Sequence, residues 1–201
     1  MIVRLLKTGA LMVMLASCAA PPTAAPTISS PTLLPSPTIP ATEIDLTPLD
    51  WLKQRPFQPM PSSLPEIITI NLPDGFDAQE PGFGSSELPG GHLVQAISVE
   101  YQRPVGGQIY IENHVTVQLF SYDSLAGRTE HLDMLSAQDY AWNFELISNQ
   151  RVARYHTSGT DSRVWISGPF LIVVFSGLDD SERGPWVDTF TEIYLAQFPP
   201  P

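Results

Sequence analysis

Arg163-Val164-Trp165-Ile166-Ser167 and Phe170-Leu171-Ile172-Val173-Val174-Phe175, joined through Ser167-Gly168-Pro169, are the stretch on which the fold turns. The second run is apolar at every position. A strand with one wet face alternates apolar and polar residues. Six apolar residues in a row therefore point to a strand covered on both faces, in the middle of a sheet. Gly168 and Pro169 mark a tight turn, and a tight turn makes its two strands antiparallel neighbours.

Working outward, two earlier segments carry the alternation that this hairpin lacks. Leu93, Ile97, Val99 and Tyr101 recur with period two around Gln95, Ser98 and Glu100. Ile111, Val115, Val117 and Leu119 alternate with Glu112, His114, Thr116 and Gln118. Both read as half-buried strands, with Arg103-Pro104-Val105-Gly106-Gly107 as the hairpin loop between them. Further strands are predicted over 67–72, stopped by Pro73-Asp74-Gly75, and over 150–157. Residues 82–91 read as a mobile surface loop. Two helices complete the set. One follows Asp123 or Ser124 as N-cap and presents Leu125, Leu132 and Leu135 on one side. The other starts at Pro185, a residue suited to the first helical position. Trp186, Phe190, Ile193, Tyr194 and Phe198 then fall on one face at spacings of three and four. Thr191, about 100° round the helix from Phe190, is expected off that stripe. Hairpin-joined strands with segregated helices indicate an α+β fold: an antiparallel β-sheet with flanking helices, one of them C-terminal.

The N-terminus reads differently. Arg4 and Lys7 precede a short apolar run, Thr8 to Leu15, and then come Ala16, Ser17 and Cys18. The run is too short to cross a bilayer, which takes about 20 apolar residues, and has the length of a signal-peptide core. Leu15-Ala16-Ser17-Cys18 resembles the lipobox of bacterial lipoproteins. That resemblance implies diacylglyceryl attachment to the Cys18 sulfur, cleavage before Cys18, and a bacterial cell-envelope protein anchored to a membrane outside the cytoplasm. Ser17 departs from the commoner Gly or Ala. Residues 1–17 are then signal peptide, 18–48 the lipidated Cys and a tether, 49–65 an irregular lead-in, and 66–201 the globular domain. The tether holds eight prolines and six threonines between residues 19 and 48, with Glu43 and Asp45 its only charges. Such a segment buries too little apolar surface to order itself, so a disordered, extended spacer is expected.

The globular part resembles PsbP-like domains, which pair an antiparallel sheet with flanking helices. The points of likeness are Leu72-Pro73-Asp74-Gly75-Phe76, the Trp165 to Phe175 hairpin and the C-terminal helix carrying Phe190. The likeness implies fold only, since PsbP-like domains serve varied accessory roles.

Charge narrows the function. The chain has 21 acids against 10 bases, a net charge of -11. Loss of residues 1–17 removes Arg4 and Lys7 and no acid, which makes the mature chain -13. Nucleic acid is excluded as a partner, because phosphate binding needs a basic footprint. Anionic lipid headgroups would repel such a surface, so the acyl chains must do the holding. The one cysteine rules out an intramolecular disulfide and a multi-cysteine metal cluster.

Motifs for chemistry are sparse. His92, His114, His131 and His156 show no helical metal-site spacing. Glu112 and His114 share a strand face, which by alternation meets solvent. Asp179-Asp180-Ser181-Glu182 lacks the ligand spacing of a calcium loop and suits the N-terminal end of a helix. No serine lies in a nucleophile elbow, and Gly82-Phe83-Gly84 lacks a phosphate-loop lysine. No metal, cofactor or catalytic set is therefore assigned. Aromatics remain: Trp142, Trp165 and Tyr155, with Tyr140 and Trp186, can either pack the core or line a groove for a glycan, a protein or a small apolar ligand. The leading expectation is a non-enzymatic accessory or binding domain on a lipid tether. The alternative is a lipid-anchored hydrolase or carbohydrate-active enzyme built from scattered acids, such as Asp139, Glu145, Asp161 and Asp179. A pocket with two acids at glycosidase spacing favours the enzyme, and a concavity without them favours the binder.

Overall fold

Phe170–Ser176 lies at the centre of the sheet, paired on one side with His114–Tyr122 and on the other with Thr160–Ser167. The computed structural model describes residues 46–62, 72–104, 114–157, 159–176 and 184–201. The signal segment, Cys18, most of the tether, the strand predicted over 67–72 up to residue 71, Ile111, Glu112 and the acidic run 179–182 lie outside the described residues. Among the described residues there are eight strands and three helices: α1 (Pro48–Gln54), β1 (Asp77–Ala78), β2 (Gly82–Glu87), β3 (Leu93–Gln102), β4 (His114–Tyr122), α2 (Leu125–Ser136), β5 (Ala141–Ile147), β6 (Gln150–Thr157), β7 (Thr160–Ser167), β8 (Phe170–Ser176) and α3 (Gly184–Gln197). Every pairing is antiparallel, in the order β1-β3-β4-β8-β7-β6-β5, with β2 also on β3. The predicted α+β fold with a C-terminal helix is the fold observed.

Strand parity sorts the core into two halves. Val99, Tyr101, Val117, Leu119, Trp165, Ile172 and Val174 pack with Val187, Phe190, Tyr194 and Leu195 of α3. Val94, Tyr122, Ala153, Val164, Ile166, Leu171 and Val173 pack on the other face with Trp51 and Leu52 of α1 and Leu132 of α2. The apolar run at 170–175 is thus covered from both sides, as its composition requires. In the turn before it Gly168 has φ 56, a left-handed value that glycine adopts without strain.

Several expectations change. Residues 82–91 are not a loop throughout. Residues 82–87 form β2, fully exposed on the sheet edge, in register with β3 from Gly82↔Ser98 to Glu87↔Leu93. β1 and β2 behave as one edge strand broken at 79–81, where Pro81 cannot donate to a ladder. Leu93 and Leu125 are exposed, at 50% and 48%: each stands at the first position of its element, beyond the covering layer. Ser124 is the N-cap of α2, its hydroxyl accepting from Gly127 N at 3.1 Å. Thr191 is fully buried, so the buried stripe of α3 is wider than the aromatic positions suggest. Its hydroxyl donates to the Val187 carbonyl at 2.7 Å, which removes the cost of burying it.

The segment read as an irregular lead-in contains α1. Thr47 caps it, Pro48 opens it, and Trp51 and Leu52 are buried. Arg128 of α2, itself only 3% exposed, donates to the carbonyls of Arg55 (2.6 Å), Pro56 (3.0 Å) and Lys53 (3.3 Å). The Lys53 and Arg55 carbonyls stand at the helix end, where no intrahelical donor follows, and Pro56 lies just beyond it.

Candidate functional site

A cluster of charged residues, Glu145, Arg154, Asp161, Arg163 and Asp188, lies on the α3 side of β5, β6 and β7. Register explains how. Asn143 stands opposite Arg154, and Arg154 opposite Arg163; in the next row stand Ala141, His156 and Asp161. All of these share the face covered further along by α3. Two arginines directly opposite each other repel, and a carboxylate between them removes the repulsion. Asp161 supplies it: its Oδ1 accepts from Arg154 Nε and from Arg163 Nη1, both at 2.8 Å.

Arg163 is 2% exposed, and each of its guanidinium nitrogens meets a different carboxylate. Nε lies 2.5 Å from Glu145 of β5, Nη1 2.8 Å from Asp161 of β7, and Nη2 2.7 Å from Asp188 of α3. Burial alone would raise the Asp161 carboxyl, but the Arg154 hydrogen bond and the charge of Arg163 outweigh it and hold it below its ordinary value. The same hydrogen bond raises Arg154, which therefore stays charged. An acid held this way is a fixed anion, unsuited to giving or taking protons near neutral pH.

Beside this network lies a concavity of about 320 Å³, lined by Ala141, Trp142, Asn143, Arg154 and His156. Its shape follows from sequence. Ala141 is the cross-strand partner of His156, and a methyl opposite an imidazole leaves room that a larger side chain would fill. Arg154 reaches this site with 29% of its side chain exposed. Its hydrogen bond to Asp161 uses Nε; neither terminal nitrogen donates to a described residue.

The aromatic candidates divide. Trp142 and Tyr155 are cross-strand partners with ring centroids 5.0 Å apart, and Tyr140 stacks on Tyr155 at 4.8 Å. Both Trp142 and Tyr155 pack against the half of the core under α1 and α2. Trp165 does not join them. It is fully buried in the other half, and its indole donates to the Phe198 carbonyl at 2.8 Å. Strand parity puts it on the opposite side of the sheet, so the three form no common ligand platform.

Of the scattered acids, Glu145 and Asp161 come together, but on Arg163 and outside the lining of the concavity. Asp139 is exposed ahead of β5, and Asp179 lies outside the described residues. His114 is half-buried rather than solvated, because its face of β4 is covered: neighbouring Thr116 is 9% exposed. His92 and His131 sit apart, beside Ser124 (3.1 Å) and Tyr122 (2.6 Å). Among the described residues no group of three His, Cys, Asp or Glu side chains is placed to hold a metal ion.

Asn143, Arg154 and Arg163 were the residues that sequence reasoning missed, while His156 was weighed only as a metal ligand. A signal was present. The chain has ten bases, and three of them, Arg151, Arg154 and Arg163, fall inside strands. A cation inside a strand needs paired anions. Compared with family models, with curated proteins and with solved structures, the chain matches none.

Proposed function

We infer that the chain is a lipid-anchored lipoprotein of the bacterial envelope whose globular part is a non-enzymatic binding domain. One observation carries the binding half of this reading. Among the described residues the concavity is lined by a guanidinium, an amide and an imidazole and by no carboxylate, while Glu145 and Asp161 are committed to Arg163. A glycosidase needs two carboxyl groups flanking its substrate. The anchoring half rests on the signal-like segment, on Cys18 and on the Pro/Thr-rich spacer. Among the described residues no helix is long and apolar enough to cross a membrane. The likeness to PsbP-like domains is kept for fold alone, on the 72–76 turn, the 165–175 hairpin and the Phe190 helix.

Both halves are tested on the full chain expressed in a bacterium. Cys18→Ser moves the protein from the membrane to the soluble fraction, and mass spectrometry of the wild type finds an acylated N-terminal Cys18; a membrane-bound serine variant contradicts the anchor. Incubated with a panel of saccharides and small organic acids, the purified protein gives thermal shifts with the compounds recovered unchanged. Chemical conversion of any of them contradicts a non-enzymatic domain.

A further inference from the structure

Resting on the binding reading above, we propose that the concavity between β5 and β6 is a site for the oxyanion group of a small ligand, a carboxylate or a phosphate, with Arg154 as its anchoring residue. Three observations lead there. First, the lining is rich in donors. Arg154 has no acceptor capacity at all, and the amide of the exposed Asn143 adds N–H donors beside it. A ligand that satisfies such a lining must be rich in acceptors, and an oxyanion is the acceptor a guanidinium fork holds best. Second, Arg154 is held in place from behind. Asp161 takes Nε, and Asp161 is itself fixed by the buried Arg163, which is gripped by Glu145 and Asp188. Asp161 is thus a positioning residue. It leaves the end-on edge of Arg154, the pair of terminal nitrogens, without a described partner. That edge can bind a carboxylate or phosphate bidentately. Third, the site is small. About 320 Å³ lies at the bottom of the ligand-pocket range of about 300–1,000 Å³. The room beside the exposed Ala141 methyl admits an oxyanion and a few attached atoms.

The negative charge of the chain sets what else the ligand must be. A polyanion would be repelled by net -11, so a ligand with one charged group and a polar, otherwise neutral body fits better.

The test uses the purified mature protein in detergent, with glucuronate, glucose, glucose 6-phosphate and inorganic phosphate as probes, followed by calorimetry. Expected is saturable binding of glucuronate or glucose 6-phosphate, with glucose at least about tenfold weaker, the usual weight of a charge-assisted contact. Glucuronate against glucose 6-phosphate separates carboxylate from phosphate, and inorganic phosphate shows whether the sugar body contributes. Arg154→Gln abolishes the preference for the charged probe. Ala141→Leu, which keeps every charge and places a larger side chain in the lining, weakens all probes together; it also stands in should Arg154→Gln fail to fold. Glucose binding as tightly as glucuronate, unchanged affinity in either variant, or no binding of any probe overturns the oxyanion site. Glucose binding lost in Ala141→Leu would leave the binding reading standing. Conversion of a probe would instead overturn the non-enzymatic reading.

Discussion

Two arginines lie buried on opposite faces of one sheet, and they are satisfied in opposite ways. Arg163, at 2% exposure, meets three carboxylates from β5, β7 and α3. Arg128, at 3%, meets three backbone carbonyls, all from the segment that ends α1. Carboxylates carry charge that titrates; carbonyls do not. The first arrangement joins three elements, β5, β7 and α3, and depends on pH. The second is indifferent to pH but depends on α1 being in place. Burial of a charge needs partners, and the kind of partner decides which condition can undo it.

Among the charged residues the largest effect is expected at Arg163. Arg163→Ala leaves Asp161 buried beside its neighbours, and removing one partner of a buried ion pair costs about 3–5 kcal/mol. Glu145 and Asp188 are 32% and 44% exposed and can turn to water, so the value should fall near about 3 kcal/mol. Urea unfolding measures it, and a loss under about 1 kcal/mol would mean the network is not a buried one.

Arg128→Met keeps the apolar stem near Phe57 but leaves the three carbonyls without their donor. The expected cost is about 1–3 kcal/mol, limited because α1 can detach and hydrate its own carbonyls. Local release is therefore the sharper reading. Lys7 and Lys53 are the two lysines of the sequence, so a lysine-specific protease has one site beyond residue 17, inside α1. Faster cleavage in Arg128→Met than in wild type is predicted, and no difference would remove Arg128 as the clamp.

The two sites separate again on acidification. The Asp161 carboxyl is lowered in the folded state, so its contribution is complete above the unfolded value of about 3.9 and is lost as pH falls through the lower folded one. Asp161→Asn should flatten the acid end of the stability profile. Arg128→Met should leave that slope as it is, since no carboxylate is involved. Equal slopes in wild type and Asp161→Asn would deny the coupling.

Much of the fold was legible because period and composition act locally. The apolar run at 170–175 announced a central strand, and the aromatics of α3 announced a buried helix face. β5 was missed although Trp142, Phe144 and Leu146 alternate with Asn143 and Glu145. Its turn to β6 uses Ser148 and Asn149, at φ 49 and 62, instead of a glycine that would have flagged it. α1 was missed because prolines surround it, and its partner Arg128 lies 72 or more residues away. The candidate site was least legible of all. It is made by register, and nothing in a single strand says that Ala141 will face His156 or that Arg154 will face Arg163. Thr191 marks the same limit on α3. With its hydroxyl bonded inside the core, Thr191→Ala should cost about 1 kcal/mol, the smallest effect expected here. Phe190→Ala, by contrast, should cost about 3–5 kcal/mol in the same titration.

The central claim is that the acids around Arg163 are structural while the cavity beside Arg154 binds. It is tested most directly by recording backbone and side-chain NMR shifts of the mature protein as glucuronate is added, with the ligand's own signals followed over time. The account predicts saturable shifts at Ala141, Trp142, Asn143, Arg154 and His156, and a ligand spectrum that never changes. Shifts centred on Glu145 and Asp161 together with conversion of the ligand, abolished in Glu145→Gln, would contradict it.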